Sequence, residues 1–278
     1  MLEKLAYATI KLDDDEKRIM DNRSGNEFAL LDDRFLEVPS LAVEHCKQVI
    51  NKMADISRES LFISMSLIGG YDEEQALRVG ELETRADKYE DALGTYIMKI
   101  STKNLKKEDS EILNVMLHCI GDFERISDYA CNLCDSAREL QQKNMQFSPK
   151  AETELDILSS AVREAVDISF DAFKSNNKNE ADKVEPLEEL IDTLAVELKA
   201  RHIRRLREGK CTIELGFAHS DILNNLERVA DHCSNIAVDV IQSDQLEFDA
   251  HEYLDRIKNK DNQQFARDYK LSLIHISE

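Results

Sequence analysis

A ten-residue stretch, Phe123-Glu-Arg-Ile-Ser-Asp-Tyr-Ala-Cys-Asn132, occurs in a second, related form as Leu226-Glu-Arg-Val-Ala-Asp-His-Cys-Ser-Asn235. The two copies keep Glu, Arg, Asp and Asn in the same places, at a constant offset of 103 residues. A constant offset over several positions indicates an internal repeat. The sequence therefore predicts a chain built from two related halves.

Each copy has the spacing of an amphipathic helix. At about 100° per residue, Phe123, Ile126 and Ala130 fall on one face and form a core stripe. The acidic residues Glu124 and Asp128 fall together on a neighbouring face, one turn apart. Each copy therefore projects a row Glu-x-x-x-Asp-x-x-x-Asn from the edge of its core face: Glu124, Asp128 and Asn132 in the first, and Glu227, Asp231 and Asn235 in the second.

Two further carboxylate pairs with the same spacing lie about one helix upstream of these rows. They are Glu83 with Asp87, and Glu188 with Asp192. In each pair the Glu follows an apolar residue and the Asp comes four residues later. If consecutive helices pack antiparallel, each upstream pair faces the acidic row of the next helix. We therefore expect four carboxylates to converge in each half.

Carboxylates held this close repel one another unless a cation or a proton neutralises them. Oxygen ligands suit hard cations such as Mg²⁺, Ca²⁺, Mn²⁺ or iron. The alternative is a plain solvated face, since acidic pairs four residues apart are common on helix surfaces. Four pairs in the same phase, at matching places in two repeats, favour metal binding. The predicted ligands are Glu83, Asp87, Glu124, Asp128, Glu188, Asp192, Glu227 and Asp231, with Asn132 and Asn235 as supporting groups.

The Glu-Arg-Ile/Val-x-Asp-x-x-x-Asn stretch, with Glu-x-x-x-Asp one helix upstream, resembles PhoU, a family of bacterial phosphate-signalling regulators. The resemblance covers roughly residues 37–245. It implies an all-α fold of two tandem three-helix bundles. It also implies that the acidic rows hold clusters of divalent or trivalent metal ions, often iron.

Three stretches are more similar to one subgroup, the cytoplasmic C-terminal PhoU-like domain of bacterial sodium/phosphate cotransporters. They span residues 31–40, 206–211 and 231–237. The chain departs from that subgroup because it shows no transmembrane half before the domain. This similarity implies a regulatory module at the cytoplasmic face of the bacterial inner membrane, with a transmembrane phosphate transporter domain as its partner, fused upstream or separate.

The alternative hypothesis is a stand-alone, cytoplasmic PhoU-type regulator of phosphate uptake. Such a regulator acts on a separate transporter or sensor kinase, and a homodimer is a further partner state left open. An enzyme is the least favoured function, because no Glu-x-x-His pair, H-E-x-x-H motif, Walker loop or nucleophile elbow is present. We predict that the chain is not an enzyme.

Composition narrows the function classes further. The 278 residues include only eight Gly and three Pro, which favours helix throughout. A formal net charge of −20 disfavours nucleic acid as a partner, because phosphate contacts need Lys and Arg patches. No stretch approaches the 18–20 or so apolar residues of a membrane helix.

Turn signals, the helical pattern and the family resemblance together divide the chain into five segments. We predict an N-terminal connector at 1–36, a first repeat at 37–146, a second repeat at 147–245, a C-terminal helix at 246–270 and a tail at 271–278 that is not native coding sequence. Within the repeats, Gly69-Gly70 ends the first helix and Ser148-Pro149 begins the fourth. Residues 175–179 are predicted to be a turn.

Three remaining features have two interpretations each. Cys131 and Cys134 have the C-x-x-C spacing of zinc or redox sites, but small residues replace them in the other repeat, which favours packing. Arg125 and Arg228 pair with carboxylates or hold an anion, and pairing is favoured. A basic cluster is either a phosphate-binding patch or, as favoured, an exposed partner of the acidic surface: Lys199, Arg201, Arg204, Arg205, Arg207 and Lys210.

Overall fold

The structure is a computed structural model that describes residues 27–242. Six long helices make up most of this range, and we number them in chain order. They are α1 (Pro39–Ile68), α2 (Glu73–Ser101), α3 (Lys107–Gln142), α4 (Pro149–Ser175), α5 (Val184–Arg207) and α6 (Ile213–Gln242). The predicted all-α fold is confirmed.

Local signals in the sequence set several helix ends. The side chain of Asp72 accepts a hydrogen bond from the backbone N–H of Gln75, and Ser148 caps α4 in the same way through Ala151. Such caps satisfy backbone donors that the first turn of a helix leaves free. Pro39 occupies the first turn of α1, where its missing N–H costs nothing.

The helices form two three-helix bundles. In the first, α1, α2 and α3 pack around one another, and in the second α4, α5 and α6 do the same. The carboxylate-bearing helices α3 and α6 also pack against each other, and this is the main contact between the halves. The buried apolar side chains of both bundles join into one continuous core.

Phe123, the first residue of the repeated stretch, links the two halves through aromatic contacts. Its ring centroid lies 4.8 Å from that of Phe170 and 5.2 Å from that of Phe173, both on α4. In both pairs the rings meet edge to face, the geometry that aromatic quadrupoles favour. Because Phe123 is fully buried, the helix that carries the first acidic row is fixed against the second half of the chain.

One predicted turn differs from the structure, and several predicted segments lie wholly or mostly outside the described residues. The predicted turn at 175–179 is wrong in part, because Asn177 caps a one-turn helix at Lys178–Ala181. Before α1, the 3-10 turns Ala29–Leu31 and Asp33–Glu37 pack against the first bundle. Most of the predicted connector, the predicted C-terminal helix and the tail fall outside the described residues.

Within residues 27–242, we find no helix that combines the length and the apolar character required to cross a membrane.

Candidate metal centres

The first acidic site lies between α2 and α3. One carboxylate oxygen from each of Glu83, Asp87 and Asp128 lies within 4.8 Å of the others. Glu83 and Asp87 come from α2, one turn apart, and Asp128 comes from α3. Glu124 lies one turn before Asp128 on the same helix, and the charge of Asp128 raises the pKa of Glu124. The structure thus brings three of the four expected carboxylates of this half into one group, and Glu124 lies outside that group.

The carboxyl groups of this site are difficult to ionise together. Burial raises the pKa of Glu83, and the charges of Asp87 and Asp128 raise it further. Burial and the charge of Asp128 likewise raise the pKa of Asp87. The pKa of Glu124 is raised to about 7, first by burial and then by the charge of Asp128. The charge of Arg125 offsets these effects at Glu124 only in part, and a bound cation would supply further positive charge.

The second acidic site occupies the equivalent place between α5 and α6. Oxygens of Glu188, Asp192 and Asp231 lie within 4.8 Å of one another, and the charge of Glu227 acts on both Asp192 and Asp231. Burial raises the pKa of Glu188 to about 8, with further contributions from Glu185 and Asp192. The pKa values of Asp192 and Asp231 are also raised, again mainly by burial.

The second site contains two carboxylates that lie outside the repeated Glu-x-x-x-Asp pairs. Glu185 and Glu189 lie within 4.8 Å of Glu188, and Glu185 is almost fully buried. Ser234 on α6 donates a hydrogen bond of 2.5 Å to Glu185. The repeat does not predict these two carboxylates, because its first half has no acidic residue at the equivalent positions. At the 105-residue offset that relates Glu83 to Glu188, the first half has Gly80 and Thr84 instead.

A lysine also distinguishes the second site from the first. The ammonium nitrogen of Lys199 lies 2.8 Å from a carboxylate oxygen of Glu227. At the same 105-residue offset, the first half has Gly94. The sequence pattern groups Lys199 with the basic cluster, whereas the structure places it at the acidic site. Glu227, one of the four expected carboxylates of the second site, thus has a lysine as its partner within the chain.

The arginine that follows each motif Glu pairs with carboxylates, as favoured from the sequence. Arg125 donates to Asp128 over 3.2 Å, and Arg228 donates to Asp231 over the same distance. Arg125 also lies 3.5 Å from Glu124. Both arginines are mostly exposed, so these contacts orient the aspartates and neutralise them only in part.

The two asparagines of the rows have different surroundings. Asn132 is exposed on α3. The side-chain amide of Asn235 donates to Asp122 of α3 over 3.2 Å, and His232 lies 2.7 Å from the same Asp122 oxygen. Asn235 thus takes part in the contact between the two halves. This polar contact joins the helices that carry the two acidic rows.

The donor set of both sites fits a hard cation. The residues brought together offer carboxylate oxygens, the ligand type that Mg²⁺, Ca²⁺, Mn²⁺ and iron accept. One oxygen of Asp192 is buried without a hydrogen-bond partner among the described residues. Such an oxygen is destabilising unless a ligand or water contacts it. The residues present therefore fit the metal ions that the family resemblance implies.

The cysteines of the C-x-x-C spacing lie beside the first site. Cys134 is buried in the core and Cys131 lies at its edge. Burial raises the pKa of Cys131 to about 12, with a contribution from the charge of Glu83. A thiol with so high a pKa is a poor metal ligand and a poor nucleophile at neutral pH. These positions support the packing role that was favoured from the repeat.

Comparisons with known proteins agree on one family. The model of the PhoU domain matches this chain twice, at residues 50–137 and 155–240. PhoU homolog 1 of Thermotoga maritima, a phosphate-specific transport system accessory protein, is 25% identical over 196 residues, covering 70% of this chain and 84% of its own length. A homologue from Xylella fastidiosa is 23% identical over 192 residues, covering 69% and 80%.

Two solved structures share the fold. PhoU from Pseudomonas aeruginosa superposes with a TM-score of 0.66 at 21% identity, over 72% of this chain and 94% of that one. The phosphate transport system regulatory protein PhoU from Streptococcus pneumoniae gives a TM-score of 0.67 at 16% identity, over 75% and 98%. At these identities the comparisons establish the tandem-bundle architecture.

Proposed function

This chain belongs to the PhoU family, and on that premise we propose that it is a metal-binding regulator of phosphate transport that acts as an accessory to a separate phosphate transport system. The family model covers more than half of the chain, in two copies that coincide with the two bundles. The curated relatives named above are accessory proteins of phosphate-specific transport systems. These names favour the stand-alone regulator over the cotransporter module, which rests on three short stretches of similarity.

The observation that carries the proposal is the convergence of carboxylates at equivalent places in both halves. Each site takes its upstream pair from one helix and its Asp from the next. A cation bound there would connect α2 to α3 in the first half and α5 to α6 in the second. Burial raises the pKa values of these carboxyl groups, and a bound cation would keep them ionised.

The predicted ligands divide equally between the two sites. In the first, Glu83, Asp87 and Asp128 would bind the ion directly, with Glu124 as the adjoining carboxylate. In the second, Glu188, Asp192 and Asp231 would take these places. Glu227 pairs with Lys199, so the second site would recruit Glu185 or Glu189 in its stead. The chemistry supplied by the metal is electrostatic, and iron is one of the hard ions that this donor set accepts.

In this proposal the protein acts at the cytoplasmic side of a transmembrane phosphate transporter. A sensor kinase is a second candidate partner. The metal occupancy of the acidic sites would depend on metal supply. This occupancy would determine how the regulator contacts its partner. No catalytic step is part of the proposal.

A complementation experiment tests this function. In the source organism, deletion of the gene should leave phosphate uptake high when external phosphate is abundant, and the intact gene should restore repression. The Asp128→Asn/Asp231→Asn double variant should fail to restore it, whereas a matched variant at exposed positions, Asp156→Asn/Asp221→Asn, should succeed. Phosphate uptake that is unchanged by the deletion would overturn the regulator assignment.

A further inference from the structure

A cavity of about 500 Å³ lies where the end of α5 meets the start of α4. Its charged lining consists of Lys150, Arg201, Arg204, Arg205 and Lys210 together with Glu154, Glu197 and Glu208. Cations outnumber carboxylates here, although the whole chain has a formal net charge of −20. The cavity is therefore a local basic region on an acidic protein, and it contains the core of the basic cluster seen in the sequence.

A buried carboxylate orders two of these arginines. Glu154 is only 1% exposed, and it accepts a hydrogen bond of 2.8 Å from Arg205. Arg201 lies 3.5 Å from its other oxygen. A buried carboxylate is stable only with such partners, so Glu154 holds both guanidinium groups at the wall of the cavity. One terminal nitrogen of Arg205 has no hydrogen-bond partner among the described residues.

The turn after α5 adds another cation to the rim. Gly209 has a positive φ of 68°, a conformation that glycine adopts readily. The backbone N–H groups of Gly209 and Lys210 then donate to the carbonyls of Leu206 and Arg205 over 3.0 and 2.9 Å. This arrangement satisfies the last carbonyls of α5 and turns Lys210 back over the cavity.

Two cations of the lining remain available to a ligand. Lys150 and Arg204 are exposed, and neither has a carboxylate oxygen within 4.0 Å among residues 27–242. Lys offers a compact positive charge, and the planar fork of Arg matches the oxygens of phosphate. Arg204 acts on the carboxylate of Glu208 without forming an ion pair within 4.0 Å. The two cations thus distinguish this cavity from a surface on which every charge is in an ion pair.

We propose that this cavity binds a soluble phosphate-bearing anion, with Lys150 and Arg204 contacting the phosphoryl oxygens. Its volume is within the range of small-molecule pockets, and it can hold a ligand with several phosphoryl groups. The anion site rests on the cavity alone, whereas the choice of phosphate over other oxyanions rests on the proposed function. Through such a site the regulator would bind a phosphate-bearing metabolite directly, independently of the acidic sites.

Calorimetric titration of metal-free protein with tripolyphosphate tests the proposal, because removing the metal excludes phosphate bound through an ion at the acidic sites. We expect saturable binding that Lys150→Gln/Arg204→Gln weakens at least about tenfold, since each charge-assisted contact is worth roughly that factor. The control, Lys52→Gln/Arg207→Gln, removes the same charge from exposed positions that do not line the cavity and should bind like the native chain. Matching thermal midpoints would show that both variants are folded.

Several outcomes would overturn the proposal. One is the absence of tripolyphosphate binding, and another is equal weakening in the two variants. Equally tight sulfate binding would refute the choice of phosphate. Binding to phosphatidylglycerol vesicles without binding to tripolyphosphate would assign the basic region to a membrane headgroup. None of these results bears on phosphate uptake in the deletion strain, so the two proposals fail separately.

Discussion

Lys199 of α5 lies 2.8 Å from Glu227 of α6, and this ion pair makes the two acidic sites chemically unequal. The equivalent of Lys199 in the first half is Gly94, so Glu124 has no lysine in that place. The second half carries in addition Glu185 and Glu189, where the first has Gly80 and Thr84. The repeat thus conserves the position of each site while the halves differ in charge.

Removing this lysine should strengthen metal binding in the second half. Lys199→Gln frees Glu227 and removes a positive charge that competes with a bound cation. The expected gain in binding is about 1 kcal/mol, the value of a partly exposed ion pair. In an Asp128→Asn background, which isolates the second site, we expect about fivefold tighter Mn²⁺ binding by calorimetric titration. Lys143→Gln, which breaks an ion pair at the far end of α3, is the control and should leave the affinity unchanged. Weaker binding in Lys199→Gln would contradict the competition.

The metal-free protein should lose stability as the pH rises. The pKa of Glu124 is raised to about 7 and that of Glu188 to about 8 in the folded chain, against about 4.5 when unfolded. Between these values the folded state binds more protons than the unfolded state, so the free energy of unfolding falls as pH rises from about 5 to about 9. Urea denaturation in the presence of a chelator measures this slope.

A matched pair of variants tests the source of that slope. Glu188→Gln cannot ionise, so its unfolding free energy should vary less with pH than that of the native chain. Glu44→Gln removes an exposed glutamate of α1 and should retain the full slope. A slope that is the same in all three proteins would show that Glu188 does not contribute.

The polar contact between the halves should matter for stability. Asp122→Ala leaves His232 and Asn235 without the carboxylate oxygen that both contact, at 2.7 and 3.2 Å. Partly buried polar groups left unpaired cost about 1–3 kcal/mol. We expect a loss of that size in the free energy of unfolding, and little change for Asp221→Ala, an exposed aspartate of α6. Equal effects would show that this contact does not hold the halves together.

Phe123 offers a test of the packing between α3 and α4. Phe123→Ala removes a fully buried ring that contacts Phe170 and Phe173, and such truncations cost about 3–5 kcal/mol. The control is Phe217→Ala, because the side chain of Phe217 is 68% exposed. It should change the free energy of unfolding by less than about 1 kcal/mol. Thermal denaturation of both variants measures the difference.

The fold could be predicted from the sequence because its helices are long and strongly patterned. The core stripe through Phe123, Ile126 and Ala130 is buried as the 3.6-residue period requires. Ser148 and Gly209 mark helix ends by local chemistry. The one-turn helix at Lys178–Ala181 escaped prediction because it depends on a single cap by Asn177, too short a signal for periodicity.

The candidate site could be predicted only in outline. Equal spacing in the two repeats identified the four carboxylate pairs and the helices that bring them together. It could not identify Lys199 as a partner of Glu227, since that contact depends on the packing of α5 against α6. Glu185 was missed for a similar reason. Its burial comes from tertiary contacts with α6, including the hydrogen bond from Ser234.

The most direct test of the central claim is the metal content of the protein, purified without chelator and measured by inductively coupled plasma mass spectrometry. Asp128→Asn and Asp231→Asn should each lose the metal of one half, and the double variant should retain almost none. The Asp156→Asn/Asp221→Asn variant, which changes two exposed aspartates outside the sites, should match the native chain. Metal below one ion per chain in the native protein, unchanged by the Asp128→Asn/Asp231→Asn substitutions, would contradict metal binding at these sites.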